Sequence, residues 1–229
     1  MRVKGLAIVL ASATLAVLPV KTRAETLFFD DFESGNTNSW VSYGGNWQIV
    51  DLGGNSVMRQ ESFVGGGNHF TFATPSFSGS NYAINLDMMI LERASGDVGA
   101  GFKIYRATSN DLHQGIALNL FPRSSYLSVA SANQSLPRTE YTFPMNIETG
   151  KWYNVGLEVN NGFFNVFLDG SKVLSNMPTD LVRGYISLDT DDMKADFDNI
   201  GITAIPEPSP LALVAGGLVA LTRMRKRKR

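Results

Sequence analysis

An all-β fold, a two-sheet antiparallel sandwich, is what the sequence predicts for residues 25–203, and three observations predict it. No long segment there repeats its apolar residues at helical spacing. Apolar and polar residues alternate instead over short runs bounded by Gly, Asn, Asp, Ser or Pro, as half-buried strands do. About a dozen such runs follow one another with no internal repeat and no linker, which is the spacing of a sandwich.

In chain order, Tyr82, Ile84, Leu86, Met88 and Ile90 point one way, opposite Ala83, Asn85, Asp87 and Met89. Val98, Ala100, Phe102 and Ile104 then alternate with Gly99, Gly101, Lys103 and Tyr105. Leu112, Gln114, Ile116, Leu118 and Leu120 lie opposite His113, Ala117, Asn119 and Phe121. Tyr153, Val155, Leu157 and Val159 alternate with Asn154, Gly156 and Glu158. The short connections Asn160-Asn161-Gly162 and Asp169-Gly170 supply the positive-φ positions of tight hairpins. Trp40, Trp47 and Trp152 sit beside apolar motif residues and read as core or edge fillers. The prolines between Ala204 and Pro210 cannot pair in a sheet, which puts a hinge there.

Composition narrows the function. The chain has 229 residues, enough for one domain with a sizeable core, and no Cys, which excludes a disulfide framework, a Cys-ligated zinc and a thiol nucleophile. A formal net charge of −1 hides a segregation. Residues 25–222 hold ten basic residues against all 21 acidic ones, a net of −11. An acidic domain disfavours nucleic acid as a partner.

The two ends read as addresses. Arg2 and Lys4 precede an apolar run from Leu6 to Leu18 and then Thr22-Arg23-Ala24, the layout of a secretory signal peptide cleaved after Ala24. Thirteen residues make a short span for a membrane anchor, the alternative. Residues 204–229 contain Pro206-Glu207-Pro208, a 14-residue apolar stretch from Ser209 to Thr222, and a tail with six Lys/Arg from Arg223 to Arg229. As a helix the stretch is about 21 Å long, against a hydrocarbon core of about 30 Å. Basic residues beyond it stay cytoplasmic, so the expectation is a short transmembrane helix that inserts transiently while the domain is exported. A basic patch for nucleic acid or anionic lipid would account for the charges alone.

These three parts, in this order and with a signal peptide, resemble the PEP-CTERM sorting signal. The resemblance implies an inner-membrane exosortase that recognises Pro206, Glu207 and Pro208, and delivery to the cell surface or beyond it in bacteria that make exopolysaccharide. The middle of the chain carries a second resemblance. Phe29-Asp30-Asp31-Phe32-Glu33, Lys151 to Val159 leading to Phe167-Leu168-Asp169-Gly170, Gly184 to Leu188, and Phe197-Asp198-Asn199-Ile200 are similar, in that order, to the concanavalin A-like jelly roll of lectin, laminin-G-like and glucanase domains. It implies that the first and last strands are neighbours and share a structural calcium, with Asp30, Asp31, Glu33 and Asp198 where the ligands would fall. Carboxylate oxygens are the donors calcium takes. Solvated loop acids are the alternative, and Asp189-Thr190-Asp191-Asp192 is a second acidic cluster, without the EF-hand pattern.

A sugar site on a sandwich needs a ring for the apolar sugar face and amides, carboxylates or hydroxyls for its edges. The strand faces above put Asn85, Asp87, Lys103, Tyr105, His113 and Asn119 on one exposed face, with Tyr105 as the stacking platform. The alternative is an ordinary polar outer face. No catalytic set is legible: the Glu-x-Asp-x-x-Glu strand of laminarinase-type hydrolases is missing, Gly-x-Ser-x-Gly is missing, and His69 and His113 lack metal-pair spacing. The expectation is therefore an exported, non-catalytic domain that associates with polysaccharide. A glycan-cleaving hydrolase or lyase on the same fold, or a purely structural matrix protein, are the alternatives.

Overall fold

The computed structural model describes residues 24–63, 68–74, 76–93, 96, 98–105, 115–132, 138–181 and 183–206. Every regular element among them is a strand, sixteen rather than a dozen. The first are β1 (Thr26–Asp30), β2 (Trp40–Tyr43), β3 (Trp47–Asp51), β4 (Ser56–Gln60), β5 (Asn68–Ala73) and β6 (Phe77–Ser78). There follow β7 (Tyr82–Arg93), β8 (Ala100–Tyr105), β9 (Gly115–Phe121), β10 (Tyr126–Ala132) and β11 (Thr139–Pro144). The last are β12 (Trp152–Asn160), β13 (Phe163–Leu168), β14 (Ser171–Pro178), β15 (Arg183–Asp191) and β16 (Met193–Ala204). The expected signal peptide, apart from Ala24, and the segment from Glu207 to Arg229 lie outside the described residues. Among the described residues no helix is long and apolar enough to cross a membrane.

Ala24–Ile205 form one compact unit of two antiparallel sheets, the expected jelly-roll sandwich. The first sheet runs β14-β13-β12-β7-β16-β4-β3, with β1 also paired to β16. The second runs β11-β10-β9-β8-β15-β5-β2, with β6 also on β15. The first and last strands are neighbours, Phe29 opposite Gly201 and Asp30 opposite Ile200.

Alternation decides which residues fill the space between the sheets. Tyr82, Ile84, Leu86, Met88 and Ile90 of β7 are at most 1% exposed. Phe102 and Ile104 of β8, Ile116, Leu118 and Leu120 of β9, and Ile186 and Leu188 of β15 are buried with them. Each such side chain contributes about 1.5–3 kcal/mol on leaving water. Both expected hairpins form. Asn160 pairs with Phe163 around Asn161-Gly162 (φ 51° and 79°), and Leu168 pairs with Ser171 around Asp169-Gly170 (φ 48° and 72°). Two consecutive positive φ values match the twist of the strands they join.

Strand β16 breaks the alternation once. Asp198 pairs with Asp87 and Gly201 with Asn85, so two residues, Asn199 and Ile200, oppose the single Leu86. Asn199 takes φ 51° at this bulge. The extra residue switches the inward parity from Ala195 and Phe197 to Ile200 and Ile202, all four buried.

Candidate functional site

A groove of about 310 Å³ lies on the outer face of the second sheet. Antiparallel partners share a face, so the register reads out its floor in rows. One row is Tyr43, Phe70, Asp189, Gly101, Asn119 and Ser128, on β2, β5, β15, β8, β9 and β10. The next is Val41, Phe72, Ser187, Lys103, Ala117, Ala130 and Glu140, the last on β11. Small residues at Gly99, Gly115, Ala117 and Ala130 line the depression. The ring of Phe121 leans over Gly99, where an added Cβ would stand 2.9 Å from its Cζ, and stacks on Tyr126 with centroids 4.6 Å apart.

Charged and polar groups surround this floor. The Lys103 ammonium stands 2.5 Å from Asp189 Oδ2, and the carboxylate is 4% exposed. Burial pushes the Asp189 carboxyl above its ordinary range, Lys103 pulls it back by charge and hydrogen bond, and Asp191 on the same strand face pushes it up again. Ser128 donates to Glu140 at 2.8 Å, and Arg138 lies 3.8 Å from the same carboxylate. Three buried oxygens in these two rows have no hydrogen-bond partner: Asn119 Oδ1, Ser187 Oγ and Asp189 Oδ1. A buried acceptor left unpaired costs about 1–3 kcal/mol, which a ligand hydroxyl would relieve.

The structure divides the six expected ligand residues. Lys103 and Asn119 lie in the groove. Tyr105 ends β8 opposite Tyr185 and Gly115, and its side chain is not among those described. His113 is outside the described residues, as are Leu112 and Gln114. Asn85 and Asp87 are on β7, in the other sheet, so the expectation of one shared face is corrected. The reason is that β7 pairs with β12 and β16 and not with β8, its successor in sequence. There Asp87 accepts hydrogen bonds from Asn154 Nδ2 at 2.7 Å and Asn199 Nδ2 at 3.0 Å.

Asp189, named in the sequence only as part of an acidic cluster, was not placed on this face. Asp189-Thr190-Asp191 is the continuation of β15 rather than a loop, and Thr190 is buried while Asp189 and Asp191 face the groove. Extending the alternation of Tyr185-Ile186-Ser187-Leu188 by three residues would have found it. The tryptophans differ from one another: Trp40 is buried, Trp47 is half-buried against Phe197, and Trp152, expected to fill core or edge, is 37% exposed. His69 is buried, with its Nε2 3.9 Å from Asp192 Oδ1.

The four expected calcium ligands each hold a hydrogen bond from the chain. Asp30 accepts from the Phe32 amide at 2.9 Å and Trp40 Nε1 at 2.8 Å. Asp31 accepts from the Glu33 amide, and Glu33 from the Ser56 amide at 2.8 Å. Asp198 accepts from Asn55 Nδ2 at 3.0 Å and the Asn199 amide at 2.7 Å. Among the described residues no three His, Asp or Glu side chains are grouped to hold a metal ion. These carboxylates act as turn and strand acceptors in this structure.

Solved structures resemble this sandwich across its length. The carbohydrate binding module CBM66 from Bacillus subtilis is 20% identical, over 73% of this chain and 96% of that one, with a TM-score of 0.56. The endo-beta-1,3-glucanase from Pyrococcus furiosus is 10% identical, over 81% and 96%, with a TM-score of 0.61. The cellulose induced protein Cip1 is 17% identical, over 76% and 96%, with a TM-score of 0.56. Likeness at such identities is likeness of fold. No curated protein matches the chain in sequence. One family profile does, that of the 3-keto-alpha-glucoside-1,2-lyase-like domain, over residues 24–203.

Proposed function

The chain belongs to the 3-keto-alpha-glucoside-1,2-lyase-like domain family, and from that premise we propose that it is an exported protein whose groove on the second sheet binds a saccharide. The observation that carries this is the pair of unpaired acceptors on groove-lining residues, Asn119 Oδ1 and Asp189 Oδ1, beside small residues. Sugar hydroxyls are the donors such a set takes, and the aromatic rings beside it suit the apolar face of a pyranose. The names of two similar structures, a carbohydrate binding module and a glucanase, agree with this chemistry. Titration calorimetry of the purified full-length chain with gluco-oligosaccharides tests it. Asn119→Ala is expected to weaken binding about tenfold, the effect of one hydrogen bond of about 1.4 kcal/mol. Unchanged affinity would remove Asn119, and with it this groove, from the site.

One observation favours a second reading, cleavage of the saccharide. Asp189 has one oxygen on Lys103 and one free, and its raised pKa brings it towards the strength a general base needs. On a 3-keto-glucoside it would take the proton from C2. The C1–C2 double bond forms as the C1–O bond breaks, and the Lys103 ammonium gives a proton to the departing oxygen. Incubating the chain with a 3-keto-glucoside checks this: release of the alcohol, abolished by Asp189→Asn, is the expected result, and no release leaves a binding protein.

Export is the setting for either activity. The signal peptide of residues 1–24 and the Pro206-Glu207-Pro208, apolar and basic segments that follow the domain support delivery through the inner membrane with processing by an exosortase, and an exopolysaccharide as the partner outside.

A further inference from the structure

We infer that the groove takes a neutral, extended oligosaccharide lying across the strands, with sugar units reaching from Asn119 to an aromatic platform at Tyr43, rather than a single sugar or a disaccharide. This rests on the saccharide reading above and adds length, direction and charge to it.

Direction comes from what closes the groove and what leaves it open. Phe121 leans over Gly99 with Tyr126 stacked behind it, so the groove is walled along the strand direction on that side. Across the strands no such wall stands among the described residues. Gly101 contributes no side chain between Asp189 and Asn119, and the row continues through Phe70 to Tyr43.

Length comes from the register. Asn119 and Asp189 are two strands apart, about 10 Å, and Asn119 and Tyr43 are four apart, about 19 Å at ordinary strand spacing. One pyranose ring does not reach both unpaired acceptors, and a disaccharide does not reach Tyr43. The platform itself is a rigid cluster: Tyr43 lies 5.5 Å from Phe70 and 5.8 Å from Phe72, and those two rings are 5.1 Å apart. Tyr43 is nonetheless 46% exposed. An aromatic held in place by its neighbours and left half open to water, one strand beyond the groove-lining Phe70, is suited to stacking on a sugar face. Among the described residues the charges lining the groove are Lys103 and Arg138 against Asp189, Asp191 and Glu140, a slight negative excess that disfavours uronic-acid polymers.

The experiment is calorimetry of the full-length chain with two ladders of linear oligosaccharides, α-1,4-linked and β-1,3-linked glucose, from one to six units, and with an oligouronate of six units. In at least one ladder affinity is expected to rise about tenfold or more from two units to four or five and then level off. Tyr43→Ala is expected to abolish that rise, Tyr43→Phe to preserve it, and the oligouronate to bind more weakly. Equal affinity for two and six units, a Tyr43→Ala variant that keeps the rise, or tighter binding of the oligouronate would each overturn the inference while the saccharide site stands. Absence of binding by every member of both ladders would overturn the site and the inference together.

Discussion

Two buried carboxylates show how much an aspartate's neighbours decide. Asp196 is fully buried on β16, and Arg59 of β4 meets it with two hydrogen bonds, Nε to Oδ1 at 2.6 Å and Nη2 to Oδ2 at 2.8 Å. Breaking such a pair from one side costs about 3–5 kcal/mol because a buried charge is left alone. Asp198, two residues on, has no cation. Burial pushes its carboxyl above the ordinary range, the hydrogen bonds from Asn55 and Asn199 pull it down, and the negative charges of Asp87 and Glu33 push it up again. A carboxyl whose pKa is higher in the folded than in the unfolded chain stabilises the fold while it is protonated. That contribution is complete below about pH 4 and is lost as the pH rises through the folded value. Asp189 has the same sign. Replacing Asp198 by Asn is therefore expected to raise the melting temperature more at pH 7 than at pH 4, relative to the native chain. A difference that shrinks as the pH rises would show that the hydrogen bonds, and not burial, dominate at this site.

At the scale of the strand, local and non-local constraints can be told apart. The turns Asn161-Gly162 and Asp169-Gly170 are local: residues that tolerate positive φ stand where the hairpins need them, and both were legible from the sequence. The bulge at Asn199 was not, because period-two alternation carries no mark of the extra residue that shifts its phase. Gly101 is a non-local constraint. A Cβ there would stand 1.7 Å from the Leu118 carbonyl oxygen of the neighbouring strand, so β8 and β9 can pair at this point only with glycine. Gly101→Ala is expected to cost about 3 kcal/mol or more, at the upper end of overpacking, and to speed amide exchange in β8 and β9 beyond the rest of the second sheet. A variant with native stability in denaturant unfolding would show that the strands can separate there at little cost.

For the molecule as a whole, the proposed export and recognition are separable, one assigned to the ends and the other to the sandwich. Replacing Pro206, Glu207 and Pro208 together by alanine is expected to hold the protein in the inner-membrane fraction of its host with its saccharide binding intact. Unaltered release would assign the sorting elsewhere. The sequence by itself determined the fold class, the inward half of the strands whose alternation it showed, and both tight hairpins, since each of these follows from residues close together in the chain. Only the tertiary structure decided which outward residues share a face. Lys103 and Asn119 keep company with Asp189 and Tyr43, while Asn85 and Asp87 lie on the other sheet, because β15 inserts between β8 and β5, and β12 and β16 flank β7. Alternation says only that a side chain points in or out. Which strand lies beside it is settled by pairing between segments far apart in sequence, where burial of the whole core selects the arrangement.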